Sequence, residues 1–154
     1  MRCFEKVNLN EFKKYYSEEL YDFNLPTRGT EKSAGYDFYA VDDIVIKAGE
    51  TLKIVSGVKA CMEQDDVLYL FIRSSLAIKY DLILKNNVGV IDADYYNNQD
   101  NDGNIIFVIE NTGKNDFEIK KGNRICQGVF MKYLVTDNDN CKSTRNGGIG
   151  STLL

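Results

Sequence analysis

Short apolar runs of β type dominate the chain after Pro26, and their spacing limits the folds open to it. Turn-forming segments, such as those around Gly49, Gly113 and Gly122, separate the runs. Strands of this length at short intervals are typical of sandwiches, barrels and jelly rolls. The pattern therefore predicts an all-β fold. The runs are Tyr36–Ala40, Ile44–Ile46, Leu52–Val55, Val67–Ile72, Leu82–Leu84, Ile105–Ile109 and Gln127–Val135.

The rest of the chain predicts one domain with two appendages. Asn8 followed by Glu11 resembles a capping box, and apolar residues then recur at helical spacing, which predicts an amphipathic helix over residues 9–20. Residues 25–135 form the predicted β core. The segment 136–154 is rich in Asp, Asn, Ser and Gly and is predicted to be a flexible C-terminal arm. A chain of 154 residues is long enough for one such domain, 1–154, and needs no second one.

Charge and cysteine content exclude several functions. The net charge of −4 argues against nucleic acid or an anionic membrane as the main partner. No apolar run is long enough to cross a bilayer. The four cysteines are far apart and there is no histidine, so a zinc site is not expected. The cysteines are expected to be free thiols. These features predict a soluble cytoplasmic protein.

The segment Gly89-Val90-Ile91-Asp92-Ala93-Asp94-Tyr95 places two carboxylates and an aromatic ring beside an apolar run. Because the chain has no histidine, a general base near neutral pH must be a carboxylate, Lys, Tyr or Cys. Asp92 is the best candidate for that base.

Three other segments carry groups suited to an anion. Arg73-Ser74-Ser75 ends an apolar run with a guanidinium and two hydroxyls, which match phosphate oxygens. In Gly122–Gln127, Gln127 can donate to a phosphate. Arg145–Thr152 is a glycine-rich tail able to close over a polyphosphate, and it lacks the Lys-Ser/Thr ending of a P-loop. The loop 97–104 imitates the start of a calcium loop, but a β-type run follows where a helix is required, so a polar hairpin loop is predicted.

These segments, in this order, resemble the five motifs of the trimeric dUTPase family. The motifs correspond to Ala34–Asp37, Arg73–Ala77, Gly89–Tyr95, Gly122–Gln127 and Arg145–Thr152, and the resemblance covers most of the chain from Leu25 to Thr152. The N-terminal helix and the Tyr-Tyr-Asn-Asn segment after Asp94 are similar to a variant found in Gram-positive bacteria and their phages. If a phage encodes the protein, the resemblance implies a location in the host cytoplasm.

The resemblance implies a jelly-roll-like domain and a homotrimer whose active sites draw on more than one subunit. It also implies hydrolysis of dUTP to dUMP and pyrophosphate by water attack on the α-phosphorus. Asp92 matches the acid that activates the water, and Tyr95 matches the ring beneath the deoxyribose. Asn86 and the backbone from Gly89 to Ile91 match the uracil contacts, where cytosine would leave buried groups unpaired.

The resemblance further assigns the triphosphate and its ion. Arg73, as a second catalytic group, matches the triphosphate contacts together with Ser74, Ser75 and Gln127. Mg²⁺ is expected on the phosphates without direct protein ligands, and Asp37 is expected to orient its water shell. The arm residues expected at the substrate are Arg145, Ile149, Gly150 and Ser151.

The sequence departs from the family pattern in two places, and two alternative functions stay open at this point. Ile149 stands where an aromatic commonly stacks on uracil, with a spacing from Arg145 one residue shorter than usual, and Ile72 stands where Pro commonly precedes Arg-Ser. One alternative is a dCTP deaminase or a bifunctional relative, which the Asp92–Tyr95 segment disfavours. The other is a nucleotide-binding regulatory protein, and a regulatory protein partner is compatible with an active enzyme.

Overall fold

The elements below are those of a computed structural model, which describes residues 1–145 and 147–149. Two α-helices are present in this part of the chain, α1 (Leu9–Phe12) and α2 (Ser74–Tyr80), with 3-10 helices at Glu18–Tyr21 and Ala93–Tyr95. The strands are β1 (Cys3–Lys6), β2 (Thr27–Arg28), β3 (Tyr36–Tyr39), β4 (Ile44–Ile46), β5 (Thr51–Val55), β6 (Val58–Cys61), β7 (Asp66–Ile72), β8 (Leu82–Leu84), β9 (Gly89–Asp92), β10 (Ile106–Asn111), β11 (Phe117–Ile119) and β12 (Arg124–Lys132).

The strands form antiparallel sheets around one apolar core. The largest sheet has the order β2-β3-β12-β7-β9, and a second has the order β5-β10-β8. Two further pairs, β1 with β6 and β4 with β11, complete the set. The rings of Phe38 on β3 and Phe107 on β10 meet edge to face, with centroids 5.2 Å apart, and both are buried. This contact joins the two larger sheets across the core, and the predicted all-β, jelly-roll-like fold is confirmed.

The predicted runs correspond to strands, but several strands were not predicted. The bounds Ile44–Ile46 and Leu82–Leu84 agree with the prediction, whereas β12 begins at Arg124 and ends at Lys132 rather than running from Gln127 to Val135. Strands β1, β2, β6, β9 and β11 lie outside those runs. They are short and depend on distant partners, as Cys3 does on Cys61, so local periodicity signals them weakly.

The single helix predicted over residues 9–20 is wrong in its extent. Helix α1 is capped by the Asn8 side chain, which accepts from the Glu11 amide, but it ends at Phe12. The chain then turns and forms the 3-10 helix Glu18–Tyr21. Turning lets Tyr16 donate its hydroxyl to the Val55 carbonyl, and it lets Phe12 stack on Phe23 with centroids 5.5 Å apart. Tertiary packing outweighs the propensity of so short a helix.

The predicted arm runs along the surface without regular structure where it is described. Residues 136–144 are exposed, while Arg145 and the two glycines Gly147 and Gly148 are partly or fully covered. All four cysteines are free thiols, and Sγ of Cys3 lies 2.6 Å from Sγ of Cys61. Across the described ranges, no helix is both long and apolar enough to span a bilayer.

Candidate active site

One group of candidate residues lines a cleft around Arg73, because strand β12 lies between β3 and β7. Gln127 on β12 is opposite Asp37 on one side and opposite Phe71 on the other. Arg73 follows the end of β7, and α2 begins immediately after it at Ser74. The sheet order therefore brings three separate motifs to one place. We call this cavity of about 640 Å³ the Arg73 cleft; its lining includes Gly35, Asp37, Arg73, Ser74, Ser75, Arg124 and Gln127.

Asp37 organises the cations of the Arg73 cleft. Its Oδ1 lies 3.0 Å from Nε of Arg73, and its Oδ2 accepts from Nη1 of Arg124 at 3.1 Å. Only 12% of the Asp37 side chain is exposed. Two guanidinium groups held by one carboxylate leave further N–H donors for an anion, since each guanidinium has five. The cleft is therefore suited to a polyphosphate.

A second group of candidate residues lines a cleft around Asp92. Strand β9 pairs with the edge of β7, with Gly89 opposite Leu70. A Cβ atom on Gly89 would lie 2.9 Å from Cβ of Leu70, so only glycine lets the two strands pack at this point. We call this cavity of about 250 Å³ the Asp92 cleft; its lining includes Asn86, Gly89, Ile91, Asp92, Tyr95, Arg145 and Ile149.

Tyr95 forms a fixed wall of the Asp92 cleft. The residue is 5% exposed, its hydroxyl donates to the Asn104 carbonyl at 2.9 Å, and the Asn101 side-chain amide donates to the same hydroxyl at 2.7 Å. Burial raises the pKa of the phenol, so the ring stays neutral near pH 7. A rigid, neutral aromatic ring beside a carboxylate suits a sugar or another flat ligand.

Asp92 is accessible to solvent and is paired with the arm. About half of its side chain, 53%, is exposed, and its Oδ2 accepts from Nη2 of Arg145 at 2.6 Å. Nε of Arg145 also donates to Asp94 at 2.9 Å. Burial opposes the charge of the guanidinium, but the two carboxylates hold the pKa of Arg145 above its ordinary value. Arg145 is therefore permanently charged at the mouth of the cleft.

The two clefts do not combine within one chain. Asp92 is opposite Val67 near the start of β7, whereas Arg73 follows its other end, six positions later. Six positions of a strand span roughly 20 Å. Val67, the partner of Asp92, and Phe71, which lines the Arg73 cleft, lie an even number of positions apart, so their side chains project from the same face of the sheet. The distance along β7 is therefore what separates the two clefts.

The predicted site residues thus fall into two sets, and two contacts were not predicted. Gly150 and Ser151 lie outside the described residues. The pairing of Asp94 with Arg145 was missed, as was that of Asp100, whose Oδ2 accepts from the Gly148 amide at 2.8 Å. Asp100 lies in the loop that imitates a calcium site, and its acidity was the only signal in the sequence. In the described ranges no group of three or more acidic or Cys side chains is arranged to hold a metal ion.

Comparison with known proteins agrees with this geometry. The dUTPase family matches residues 21–153. A deoxyuridine 5′-triphosphate nucleotidohydrolase of Lactococcus lactis is 47% identical over 131 residues, which cover 84% of this chain and 87% of that protein. The crystal structure of the Streptococcus mutans dUTPase superposes with a TM-score of 0.73 at 41% identity, covering 88% of this chain and 98% of that one. A dUTPase from phage φ11 of S. aureus, 18% identical with a TM-score of 0.70 over 93% of this chain and 97% of that one, shares the fold.

This all-β domain has one cleft with a carboxylate and a tyrosine and another with an arginine and hydroxyl groups. Together with the similar structures, these features define it as a hydrolase of a nucleoside triphosphate. The chain belongs to the dUTPase family, and its reaction is the hydrolysis of dUTP to dUMP and pyrophosphate. These comparisons favour a dUTPase over the alternative of a dCTP deaminase.

Proposed function

We propose that Asp92 aligns the water that attacks the α-phosphorus of dUTP. The observation that carries this proposal is the half-exposed Asp92 carboxylate in the same cleft as the buried Tyr95 ring. A carboxylate is a weak base, so its main contribution is to hold the water in line with the bond that breaks. Arg145 occupies one oxygen of Asp92. Its guanidinium must turn from Asp92 towards the substrate before the water can be held.

The Asp92 cleft is proposed to bind the nucleoside. Tyr95 supports the deoxyribose, where a ribose 2′-hydroxyl would meet the ring. Asn86 and the backbone from Gly89 to Ile91 line the same cleft and offer donors and acceptors to the edge of uracil. Ile149, which is 74% exposed and lines this cleft, is proposed to cover the base.

The Arg73 cleft is proposed to bind the triphosphate. Arg73, Ser74, Ser75 and Gln127 line it, and their donors match phosphate oxygens. Arg145 would add a cation from the arm, and Gly150 and Ser151 are assigned to the same arm contacts from the sequence alone.

A magnesium ion fits this donor set only if the substrate phosphates hold it. Among the described residues, Asp37 is the one carboxylate that lines the Arg73 cleft, and its two oxygens already pair with Arg73 and Arg124. We therefore assign Asp37 to the water shell of the ion rather than to direct ligation. Bound Mg²⁺ supplies neutralisation of charge on the departing pyrophosphate. A mutant dUTPase from phage φ11 of S. aureus coordinates a structural Mg(II) ion in its own crystal structure.

We propose that the chain is a homotrimer in which the Asp92 cleft of one subunit faces the Arg73 cleft of another. The separation of the two clefts along β7, six strand positions or roughly 20 Å, supports this arrangement. Cyclic symmetry would then build identical composite sites. We place the reaction in the cytoplasm, where four unpaired thiols are stable. A regulatory protein partner stays a prediction from the family resemblance.

The substitution Asp92→Asn tests the catalytic role. We expect pyrophosphate release from dUTP with Mg²⁺ to fall by at least about a hundredfold, since general-base groups contribute 10²–10⁴, while binding of a non-hydrolysable dUTP analogue is kept. Asp22→Asn is the matched control, because it removes a fully exposed carboxylate elsewhere. The assay also includes dCTP, dTTP and UTP, for which little or no pyrophosphate is expected. Wild-type turnover by Asp92→Asn would reject the assignment.

Mixed oligomers test the shared site. Asp92→Asn and Arg73→Ala chains are each expected to be inactive. Refolded together from denaturant in equal amounts, they should restore about a quarter of the sites, because random assembly places both intact residues at one site with that frequency. A mixture that stays inactive, although mass spectrometry shows mixed oligomers, would reject the sharing of sites between subunits.

A further inference from the structure

The hydroxyl of Tyr95 is bonded on two sides to the loop that follows it in the chain, residues 97–104. It donates to the Asn104 carbonyl at 2.9 Å and accepts from the Asn101 side-chain amide at 2.7 Å. Burial alone would leave the ring free to tilt, whereas two directional bonds fix the position of the hydroxyl and hence of the ring. The loop, which has no role in the chemistry proposed above, therefore sets the position of this wall of the Asp92 cleft.

Asn101 is held so that its amide nitrogen faces the Tyr95 hydroxyl. Its Oδ1 accepts from the Asn98 side-chain amide at 2.7 Å and from the Gly103 backbone amide at 3.2 Å. Because both of these groups are donors, the oxygen of the Asn101 amide must face them and the nitrogen must face Tyr95. The Asn98 side chain also donates to the Tyr95 carbonyl at 2.8 Å, which ties the start of the loop to the same residue.

The loop is anchored to the rest of the domain at points away from the cleft. Asp102 accepts from the Asn8 backbone amide at 2.6 Å and lies 3.1 Å from Nζ of Lys59. The Asn104 side chain, only 1% exposed, accepts from the Gly57 amide at 3.0 Å. These contacts join the loop to the N-terminal segment and to the turn between β5 and β6. The loop is thus a fixed support rather than a part of the cleft that moves with the ring.

We propose that Asn101 is a positioning residue for recognition of the sugar, because by holding the Tyr95 hydroxyl it fixes the ring at the height that admits deoxyribose and excludes ribose. Fit alone rejects an added hydroxyl group by only about a hundredfold. A binding wall must also be held to within about 0.5 Å by the side chains behind it. A small movement of the ring would therefore make room for the 2′-hydroxyl. The inference rests on the proposed contact of Tyr95 with the deoxyribose and adds the group that fixes it.

The variant Asn101→Ala tests this role through the choice between dUTP and UTP. We expect the ratio of kcat/KM for UTP to that for dUTP to rise about tenfold, a part of the discrimination that fit supplies, while kcat for dUTP changes less than about twofold. Pyrophosphate release with Mg²⁺ measures both substrates, with enough enzyme to detect slow turnover of UTP. Loss of folded protein would lower both rates alike and leave the ratio unchanged.

Asn115→Ala is the matched control, because it removes an exposed asparagine side chain that lines neither cleft. Its ratio should equal that of the wild type. A wild-type ratio in Asn101→Ala as well would overturn the proposal.

The variant Tyr95→Phe tests the same hydrogen bond from its other side and keeps the buried ring. We expect its ratio to rise to a similar extent, and Asn101→Ala in the Tyr95→Phe background should add less than about twofold, because the bond is already lost. Fold-changes that multiply in the double variant would show that Asn101 acts elsewhere and would overturn the proposal.

Tyr95→Ala separates failure of this inference from failure of the proposed function. We expect the ratio to rise at least as much as in Tyr95→Phe, since the whole ring is removed. An unchanged ratio in Tyr95→Ala would reject the proposed contact of Tyr95 with the sugar. A raised ratio there, with wild-type ratios in Asn101→Ala and Tyr95→Phe, would overturn the role of Asn101 alone.

Discussion

In the proposed mechanism, the attack by water depends on one side chain, that of Asp92. The chain has no histidine, and the Asp92 carboxylate has one oxygen paired with Arg145. Its neighbours are a buried neutral phenol at Tyr95 and an exposed apolar side chain at Ile149. A weak base in such surroundings acts through geometry, because a fixed water and a fixed phosphorus lower the entropic part of the barrier. At the scale of single residues, the main variable is then how completely the side chain of residue 149 covers the base.

The substitution Ile149→Phe is predicted to improve closure. Stacking of an aromatic side chain on a base contributes about 1–3 kcal/mol, so KM for dUTP should fall by about fivefold or more. Steady-state kinetics with pyrophosphate detection measures the effect. Ile149→Leu is the control, because it keeps the size and apolar character without a ring. Equal KM values for the two variants would show that the arm does not place residue 149 on the base.

At the scale of elements, the N-terminal segment is held to the β domain by aromatic rings rather than by helical hydrogen bonds. Phe12 is fully buried, and its ring contacts those of Tyr16, Tyr21 and Phe23 at 5.2, 5.0 and 5.5 Å between centroids. Gly57, at φ +70°, brings the backbone beneath Phe12 and Phe23. Deleting one ring from this cluster therefore removes contacts that α1 cannot replace.

The substitution Phe12→Ala is predicted to lower the free energy of unfolding by about 3–5 kcal/mol, the usual cost of a buried Phe→Ala change. Urea denaturation followed by circular dichroism measures it. Tyr15→Ala, at a position that is 44% exposed, should change stability by less than about 0.5 kcal/mol. A loss at Phe12 no larger than that at Tyr15 would mean that the aromatic cluster does not stabilise the domain.

At the scale of the whole molecule, Asp66 ties the N-terminus to the largest sheet. Its buried carboxylate lies 2.7 Å from Nε of Arg2 and 3.0 Å from Nζ of Lys132, and it accepts from the Glu63 amide. The hydrogen bond from Arg2, more than that from Lys132, holds the pKa of Asp66 below its ordinary value. A carboxyl with a lowered pKa stabilises the fold above its ordinary pKa, and this stability is lost as pH falls through the folded-state pKa.

Acidification is therefore predicted to weaken the fold through Asp66. The urea midpoint should fall as pH drops from about 5 to about 3. In Asp66→Asn the midpoint at pH 7 should be lower and the further fall on acidification smaller, because the titrating group is gone. Asp22→Asn should keep the wild-type pH dependence. An unchanged acid limb in Asp66→Asn would show that other carboxylates govern acid unfolding.

Local sequence was sufficient for the β class and for several strand bounds. Ile44–Ile46 and Leu82–Leu84 are bounded by turn signals within a few residues, so their limits could be read directly. The roles of Asp92, Arg73 and Tyr95 were suggested by residue types and order. The turn after Phe12 could not be predicted, because it depends on tertiary contacts such as the hydrogen bond from Tyr16 to Val55, which is distant in the chain.

Only the tertiary structure determined how the candidate site residues divide between the Arg73 cleft and the Asp92 cleft. Pairing of β12 with both β3 and β7 collects Asp37, Arg73 and Gln127, while the register of β9 on β7 places Asp92 at the other end of β7. Side-chain direction alternates along a strand, so one position of register determines which face a residue occupies. The sequence by itself determined which groups are available for dUTP hydrolysis. Sheet order and register determined which of them meet, because those depend on hydrogen bonds between segments that no local pattern records.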